Sequence, residues 1–265
     1  MLVVGELINA SRTEVKEAIT NKDGQRIKEL VASQVNAGAD YIDLNVAGGI
    51  SLSDEARDIQ WLVNRTQEVS TDIPIMIDSA NYEVIVAGLA AYKGKEVIIN
   101  SIDATPGRMD SVLPLVFQYG AKVVALTMGE TGIPKDSTNR IKEAEKIATR
   151  LDKEKIGLDR VFFDPIILPL STASDNGKIA LETLAAIKKE FPGSATIAGL
   201  SNISYGLPKR ALINRAYLVM AIYEGLDAAI LDPTDRELIC LVRAAEALAG
   251  RDPRLRRYMR CVRQW

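Results

Sequence analysis

A closed barrel of eight parallel β-strands with helices between them is the fold this sequence predicts, and three observations predict it. Eight short apolar runs recur along the chain, each followed by a stretch with helical spacing. Glycines stand between helical stretches and the next apolar run at positions 38, 120, 157 and 225. The length, 265 residues, is close to the roughly 250 typical of a (β/α)8 TIM barrel. Alternating strand and helix signals imply a parallel sheet. An open doubly wound sheet is the competing architecture, and eight units of this length favour closure.

The elements follow in order. The first run, 2–4, leads to Glu6 and Asn9. Ile27, Leu30, Val31 and Val35 then mark one helix face, with Gln34 and Asn36 on another. Gly38, suited to a left-handed helix stop, precedes the run 41–42, which leads to Asp43 and Asn45. Ser53-Asp54 signals the start of a helix carrying Ile59, Leu62 and Val63. The runs 73–77 and 97–99 end at Asp78 and Asn100. Asp110-Ser111 is expected to open a helix over 112–119, before Gly120 and the run 123–126, which ends at Thr127. Asp136-Ser137 precedes a helix over 141–151, and Gly157 precedes the run 161–163, which ends at Asp164. Asp175 precedes a helix over 179–191, and the run 196–200 leads to Ser201 and Asn202. Gly225 precedes the run 228–231, which ends at Asp232, and Asp235 lies in the first turn of the last helix, 238–248. Nothing divides the chain, so residues 1–250 form the barrel and 251–265 a basic tail of the same domain. The six arginines from Arg251 to Arg263 suit a solvated helix face or, more sharply, a partner-docking patch.

Composition narrows the function. Charged residues make up 26% and the net charge is −2, the balance of a soluble globular protein and not of a nucleic-acid binder. No apolar run approaches the ~18–20 residues that span a bilayer, and the chain opens on a strand-like run without a leader. A cytoplasmic protein without membrane contact is expected. Cys240 and Cys261 match no metal-ligand spacing; the first reads as a small core residue and the second as a plain thiol, so no bound metal is expected. The chain has no histidine, which excludes a Ser-His-Asp triad, a histidine-bearing zinc site and an imidazole base.

A parallel barrel gathers the carboxyl ends of its strands on one face, where active sites lie. The polar strand ends therefore become one pocket rich in Asp and Asn. Phosphate sites want glycine-rich turns, helix N-termini, Lys or Arg. The last two strands end instead in Leu200-Ser201-Asn202 and Asp232-Pro233. Carboxylates and amides suit a neutral ligand with several N–H donors, such as a pterin, whose amino group and ring N–H pair with one carboxylate. Each residue also has a plainer reading: Asp78 and Asp164 as caps or loop acceptors, Asn100 as a loop amide. Trp61, Met76 and Met220 read as core or helix-packing residues.

The stretches Gly5-Glu6-Leu7-Ile8-Asn9, Asp43-Leu44-Asn45, Ile77-Asp78-Ser79, Asn100-Ser101, Thr127-Met128, Gly132-Ile133-Pro134-Lys135-Asp136, Phe163-Asp164-Pro165 and Gly199-Leu200-Ser201-Asn202 occur in one order across the whole chain. In these the chain resembles the pterin-binding corrinoid methyltransferases of acetogens and of O-demethylase systems, with a dihydropteroate synthase-like barrel. The resemblance implies methyl transfer between the cobalt of a separate corrinoid protein and N5 of tetrahydrofolate, with 5-methyltetrahydrofolate as the methylated form. It implies that Asp78, Asn100 and Asp164 hold the pterin, that Gly199 and Ser201 line its pocket, and that Asn202 bonds N5 as the catalytic residue. Glu6, Asn9, Asp43, Asn45 and Asp232 would be further pocket members. A homodimer is expected, and so is a transient complex with the corrinoid protein docked over the mouth, because cobalt must come close to N5; Arg12, Lys135 and Lys209, which follow strands one, five and seven, are the rim candidates. Lys209-Arg210 otherwise reads as a solvated helix start. Leu7 stands where relatives often carry Arg. A dihydropteroate synthase-like enzyme and a non-catalytic pterin-binding barrel are the alternatives.

Overall fold

Valine and isoleucine occur in the strands more than any other pair of residue types, because β-branched side chains suit a pleated, buried surface. The computed structural model describes residues 1–48 and 52–263. Strands β1 (Leu2–Asn9), β2 (Tyr41–Asn45), β3 (Ile75–Asp78), β4 (Val97–Ile102), β5 (Lys122–Leu126), β6 (Val161–Asp164), β7 (Ala195–Gly199) and β8 (Ala228–Leu231) pair in chain order. Parallel pairing of β8 with β1 closes the barrel. Two helices, α1 (Thr13–Thr20) and α2 (Gly24–Asn36), lie between β1 and β2. Then α3 (Leu52–Val69), α4 (Tyr82–Ala91), α5 (Pro106–Gln118), α6 (Ser137–Lys153), α7 (Asn176–Glu190) and α8 (Arg210–Glu224) follow β2 to β7 in turn. After β8 come α9 (Arg236–Leu248) and α10 (Arg256–Arg263).

Strand alternation divides the core into two shells. Val4, Tyr41, Met76, Ile98, Val124, Phe162, Ile197 and Ala228, one from each strand, pack together inside the barrel. Residues of the opposite parity, such as Ile42, Ile77, Ile99 and Phe163, pack outward against the helices. Burying each such side chain contributes about 1.5–3 kcal/mol. Met76 is therefore a barrel-interior residue and Trp61 packs at the edge of the helical layer. Met220 departs from expectation: it is 54% exposed on the outer face of α8.

Side-chain caps open three of the helices, α2, α6 and α9. Asp23, Asp136 and Asp235 each accept the backbone N–H three residues on, at 3.0, 2.8 and 3.0 Å. Asp235 is thus the cap of α9 itself. Two starts differ from the sequence reading. Helix α5 opens at Pro106, because proline's fixed φ suits the first helical turn, so Asp110 and Ser111 lie inside it. Helix α3 already includes Ser53 and Asp54. Asp175 precedes α7 without a side-chain capping bond.

Gly38, Gly120 and Gly225 stop their helices at φ of 91°, 60° and 119°. Gly157 does not, with φ of −66°. Helix α6 ends at Lys153, so the left-handed residue falls at Lys155, φ 58°.

The tail is anchored as well as solvated. Arg257 pairs with the buried Glu246 of α9 at 3.0 Å, and Glu246 also binds Arg243 and the amino group of Met1. Cys240 and Cys261 are not separate thiols: α10 packs on α9 and brings their sulfurs to 2.8 Å. Cys240 is only half-buried. Among the described residues no helix is long and apolar enough to cross a membrane.

Candidate active site

In six of the eight strands the inward-facing series continues, two residues further on, into a polar side chain. Val4 is followed by Glu6, Tyr41 by Asp43 and Asn45, Met76 by Asp78, Ile98 by Asn100, Phe162 by Asp164 and Ile230 by Asp232. The apolar layers fill the barrel, so the next layer faces its carboxyl-end mouth. Strand register aligns four of these positions: Asn9 lies beside Asn45, Asn45 beside Asp78, and Asp78 beside Asn100. Asp164 ends β6 opposite Leu126.

A cavity of about 590 Å³ opens at this mouth. Glu6, Asn9, Asp43, Asp78, Gly199, Ser201, Asn202 and Asp232 are in its wall. Asn45, Asn100 and Asp164 are not. Asn45 sits behind the wall and donates from Nδ2 to Asp78 Oδ2 at 2.8 Å. Asn100 adjoins Asp78 on the neighbouring strand, and Asp164 lies across the mouth on β6. Leu7 is buried in the barrel wall at 6% exposure, its N–H bonded to Gln34 Oε1. Gly5 makes that contact possible, since a Cβ there would lie 2.3 Å from the same oxygen.

Several of these polar groups also hold local structure. Asn9 Oδ1 accepts Ser11 N–H at 2.9 Å, Asn45 Oδ1 accepts Ala47 N–H at 2.9 Å, and Asp232 Oδ1 accepts Thr234 N–H at 2.8 Å. Such two-residue turns shape the start of a loop. Asn202 is different. It sits exposed on the 3-10 turn Leu200–Ser204, and its carboxamide has no hydrogen-bond partner among the described residues. Gly199 leaves room for it, because a Cβ at Gly199 would stand 3.2 Å from Asn202 Nδ2. The neighbouring Ser201 donates to Glu6 Oε2 at 3.3 Å.

The cluster shifts its own acids. Burial pushes Asp43 well above the usual carboxylate range, and Asp78 and Glu6 add to it. Burial raises Asp78 too, against the opposing pull of the Asn45 bond and the Arg108 charge. Glu6 is raised by burial and by Asp232, against the Ser201 bond. Asp164 is pushed up to about 7 by burial, although Ile166 N–H and the Arg140 charge oppose it. Asp43 is 2% exposed and its Oδ1 lacks a partner among the described residues. A buried orphan acceptor in a cavity wall suits a ligand that brings its own N–H or O–H donors.

Three arginines that the sequence reading did not place in the site hold its loops together. Arg108 of α5 donates to the carbonyls of Ser101, Ala80 and Ser79 at 2.8, 2.7 and 2.8 Å, joining the loops after β3 and β4. The fully buried Arg140 of α6 donates to Pro134, Pro165 and Ile166 carbonyls at 3.0, 2.6 and 2.8 Å, joining the loops after β5 and β6. Arg210 of α8 reaches Ser201 O at 2.7 Å and Ser204 Oγ at 3.0 Å, so it is bonded to the loop after β7 and is not a freely solvated helix start. The bonded donors of Arg108 and Arg140 go to backbone carbonyls, and those of Arg210 to Ser201 O and the Ser204 hydroxyl. The cavity wall carries the carboxylates of Glu6, Asp43, Asp78, Asp232 and Asp235, with Arg12, Arg210 and Arg215 on the same wall.

Comparison with known proteins fits this geometry. The model of the pterin binding enzyme family matches residues 5–232. A methylcorrinoid:tetrahydrofolate methyltransferase of Eubacterium limosum is 31% identical over 266 residues, covering all of this chain and 97% of that one. Methionine synthase of Mycobacterium leprae is 32% identical over 249 residues, which span 87% of this chain and 20% of that much longer protein. The dihydropteroate synthase structure from Stenotrophomonas maltophilia superposes with a TM-score of 0.67 at 18% identity, over 93% of this chain and 94% of that one, and shares the fold. With a family match over most of its length and a relative aligned end to end, the chain belongs to the pterin binding enzymes.

Proposed function

We propose that this chain is a methyltransferase that moves a methyl group between the cobalt of a separate corrinoid protein and N5 of tetrahydrofolate. The end-to-end similarity to a methylcorrinoid:tetrahydrofolate methyltransferase carries the reading. The acidic, amide-rich mouth supports it.

Asp78, Asn100 and Asp164 are assigned to the donor edge of the pterin, since carboxylates pair with its amino and ring N–H groups. Gly199 and Ser201 line the ring. Glu6, Asn9, Asp43, Asn45 and Asp232 complete the surrounding wall, with Asn45 acting through Asp78. Asn202 is assigned to N5, on its exposed carboxamide beside the cavity. Toward folate, the N5 lone pair forms the new N–C bond, the methyl–cobalt bond breaks, and its electron pair stays on cobalt as Co(I). The N5 proton leaves to water. In reverse, Co(I) attacks the methyl of 5-methyltetrahydrofolate and N5 keeps the electron pair and gains a proton. A carboxamide bond that strengthens as charge changes at N5 favours the transition state over the bound substrate.

The corrinoid is assigned to a partner protein, and no metal is assigned to this chain, which has no histidine to ligate cobalt. We place the reaction in cytoplasmic one-carbon metabolism of the O-demethylation type. Residues 251–265 are assigned to the barrel domain, on the support of the Arg257–Glu246 pair for 251–263, while 264–265 lie outside the described residues. A homodimer is supported by Leu212, Met220 and Tyr223, exposed by 67%, 54% and 72% along one face of α8. Dihydropteroate synthesis is the second reading, favoured only by fold. That chemistry releases pyrophosphate, and the strand ends Ser201-Asn202 and Asp232-Pro233 offer no phosphate grip.

Turnover of a methylated corrinoid protein with tetrahydrofolate tests the proposal. Formation of 5-methyltetrahydrofolate and Co(I) in equal amounts is expected. Dihydropteroate formation without methyl transfer would establish the second reading instead, and loss of activity when this chain alone is treated with a chelator would contradict the metal-free assignment.

A further inference from the structure

We propose that Cys240 and Cys261 form a reversible disulfide site, closed by exchange with small disulfides of the glutathione class, that clasps the terminal helix α10 onto α9. The two sulfurs stand 2.8 Å apart although 21 residues separate them in sequence. A bonded pair stands at about 2.05 Å, so closure needs a shift of less than one ångström. Both thiols are free and half-buried, which leaves them open to a small reagent.

The approach follows from how the chain turns. Cys240 lies in the first half of α9 and Cys261 near the end of α10. Between them Arg254 and Leu255 adopt φ of 61° and 55°, and this reversal lays α10 back along α9. Asp252 pins the start of α10 by accepting the N–H groups of Arg257 and Tyr258 at 3.1 and 2.9 Å. Arg257 adds its pair to Glu246 at 3.0 Å. The thiols are therefore held in place by contacts that owe nothing to a bond between them. Neither lines the cavity at the mouth, so the pair is independent of the proposed methyl transfer.

The chemistry balances in two exchanges. Cys261, as thiolate, attacks one sulfur of the small disulfide; that S–S bond breaks, one thiolate leaves, and a mixed disulfide forms on Cys261. Cys240 then loses its proton and attacks the Cys261 sulfur. The mixed bond breaks, the second small thiolate leaves, and the Cys240–Cys261 bond forms. Two protein thiols are oxidised and one small disulfide is reduced to two thiols, which take up the protons released. Burial and the neighbouring Cys261 sulfur push the Cys240 thiol up to about 11. In a reducing compartment the pair rests as two thiols and closes when the ratio of disulfide to thiol rises.

The test uses the full chain, reduced and then incubated with oxidised glutathione, quenched with an alkylating reagent and weighed intact. The expected product has lost two hydrogens, carries neither alkyl nor glutathionyl groups, and yields a peptide pair joining Cys240 to Cys261 that a thiol reductant separates. Cys240→Ser and Cys261→Ser should each retain one glutathione on the remaining cysteine. Hydrogen exchange in α10 should slow by roughly tenfold in the oxidised wild type and not in either variant. Two alkyl groups, or two retained glutathiones, on the wild type would overturn the site. Unchanged exchange in a confirmed disulfide would overturn the clasp.

Discussion

Asp164 illustrates a residue whose environment opposes the ionised form that the proposed ligand requires. Burial raises its pKa to about 7, above the unfolded value of about 3.9. The folded chain therefore holds this proton where the unfolded chain has lost it. Its contribution to stability is present below pH ~4 and is lost as pH rises toward 7. Asp164→Asn keeps an acceptor for Ile166 N–H, bonded at 2.7 Å, and removes the titration. The variant should match or exceed wild type in urea denaturation at pH 8, with the gap closing at pH 4–5. It should also bind tetrahydrofolate more weakly by about 1.5–3 kcal/mol, as expected for losing a hydrogen bond to a charged group. Opposite signs for stability and binding separate a ligand-holding carboxylate from a loop cap. Lower stability at pH 8 with unchanged calorimetric affinity would make Asp164 a cap. Asn202→Ala should behave differently again. The single-turnover rate should fall about 10²–10³-fold with a smaller loss of folate affinity, on the scale of one transition-state donor. Collapsed binding with a near wild-type rate would make Asn202 a binding residue only.

At the scale of elements, the site is the continuation of the barrel core by one more layer, and that is why much of it was legible. Asp78, Asn100 and Asp164 each stand two residues beyond an inward-facing Met76, Ile98 or Phe162, so a period of two carries the eye from core to site. The eight strands were legible for the same reason, as short apolar runs punctuated by polar ends. The arginine contacts were not legible. Arg108, Arg140 and Arg210 lie on helices where arginine ordinarily faces water, and their carbonyl partners come from loops up to 29 residues away. The start of α5 is masked in the sequence because Asp110-Ser111 resembles a cap, whereas Pro106 opens the helix. The thiol pair was hidden because a two-residue left-handed reversal at Arg254 and Leu255 carries no glycine to announce it. Arg140 gives the test at this scale. Arg140→Ala strands three carbonyls, each worth about 1–3 kcal/mol if left unsatisfied, so the urea midpoint should fall markedly. Arg140→Lys keeps the charge but not the fork, and should recover only part of the loss. Because Arg140 holds Pro165 and Ile166 next to Asp164, tetrahydrofolate affinity should fall in the lysine variant even where it remains folded. Lost stability with full affinity would confine Arg140 to a structural role.

For the whole molecule the question is how a corrinoid carried by another protein reaches the mouth. Direct transfer requires cobalt and N5 to come within bonding reach of one methyl group, so the partner must dock over the carboxyl ends of the strands. The wall there carries Glu6, Asp43, Asp78 and Asp232 together with Arg12, Arg210 and Arg215. Arg12 is part of the cavity wall itself, which removes it as a clean probe of docking. Lys135 and Lys209 remain. Lys135 lies exposed in the loop after β5, and Lys209, at φ 51°, introduces α8 beyond β7. A carrier that must leave to meet its other enzyme needs a weak interface whose specificity and on-rate come from rim charge. Reversing both lysines to glutamate should therefore lower kcat/KM for the methylated corrinoid protein by roughly tenfold at low salt, with kcat little changed. Added salt should slow the wild type toward the variant, because exposed charges are screened over about 10 Å at 0.1 M. Free methylcobalamin, which needs no protein docking, should turn over equally with both. Equal loss with both donors would place these lysines in the pterin site or in the fold, and would move the docking surface elsewhere on the barrel.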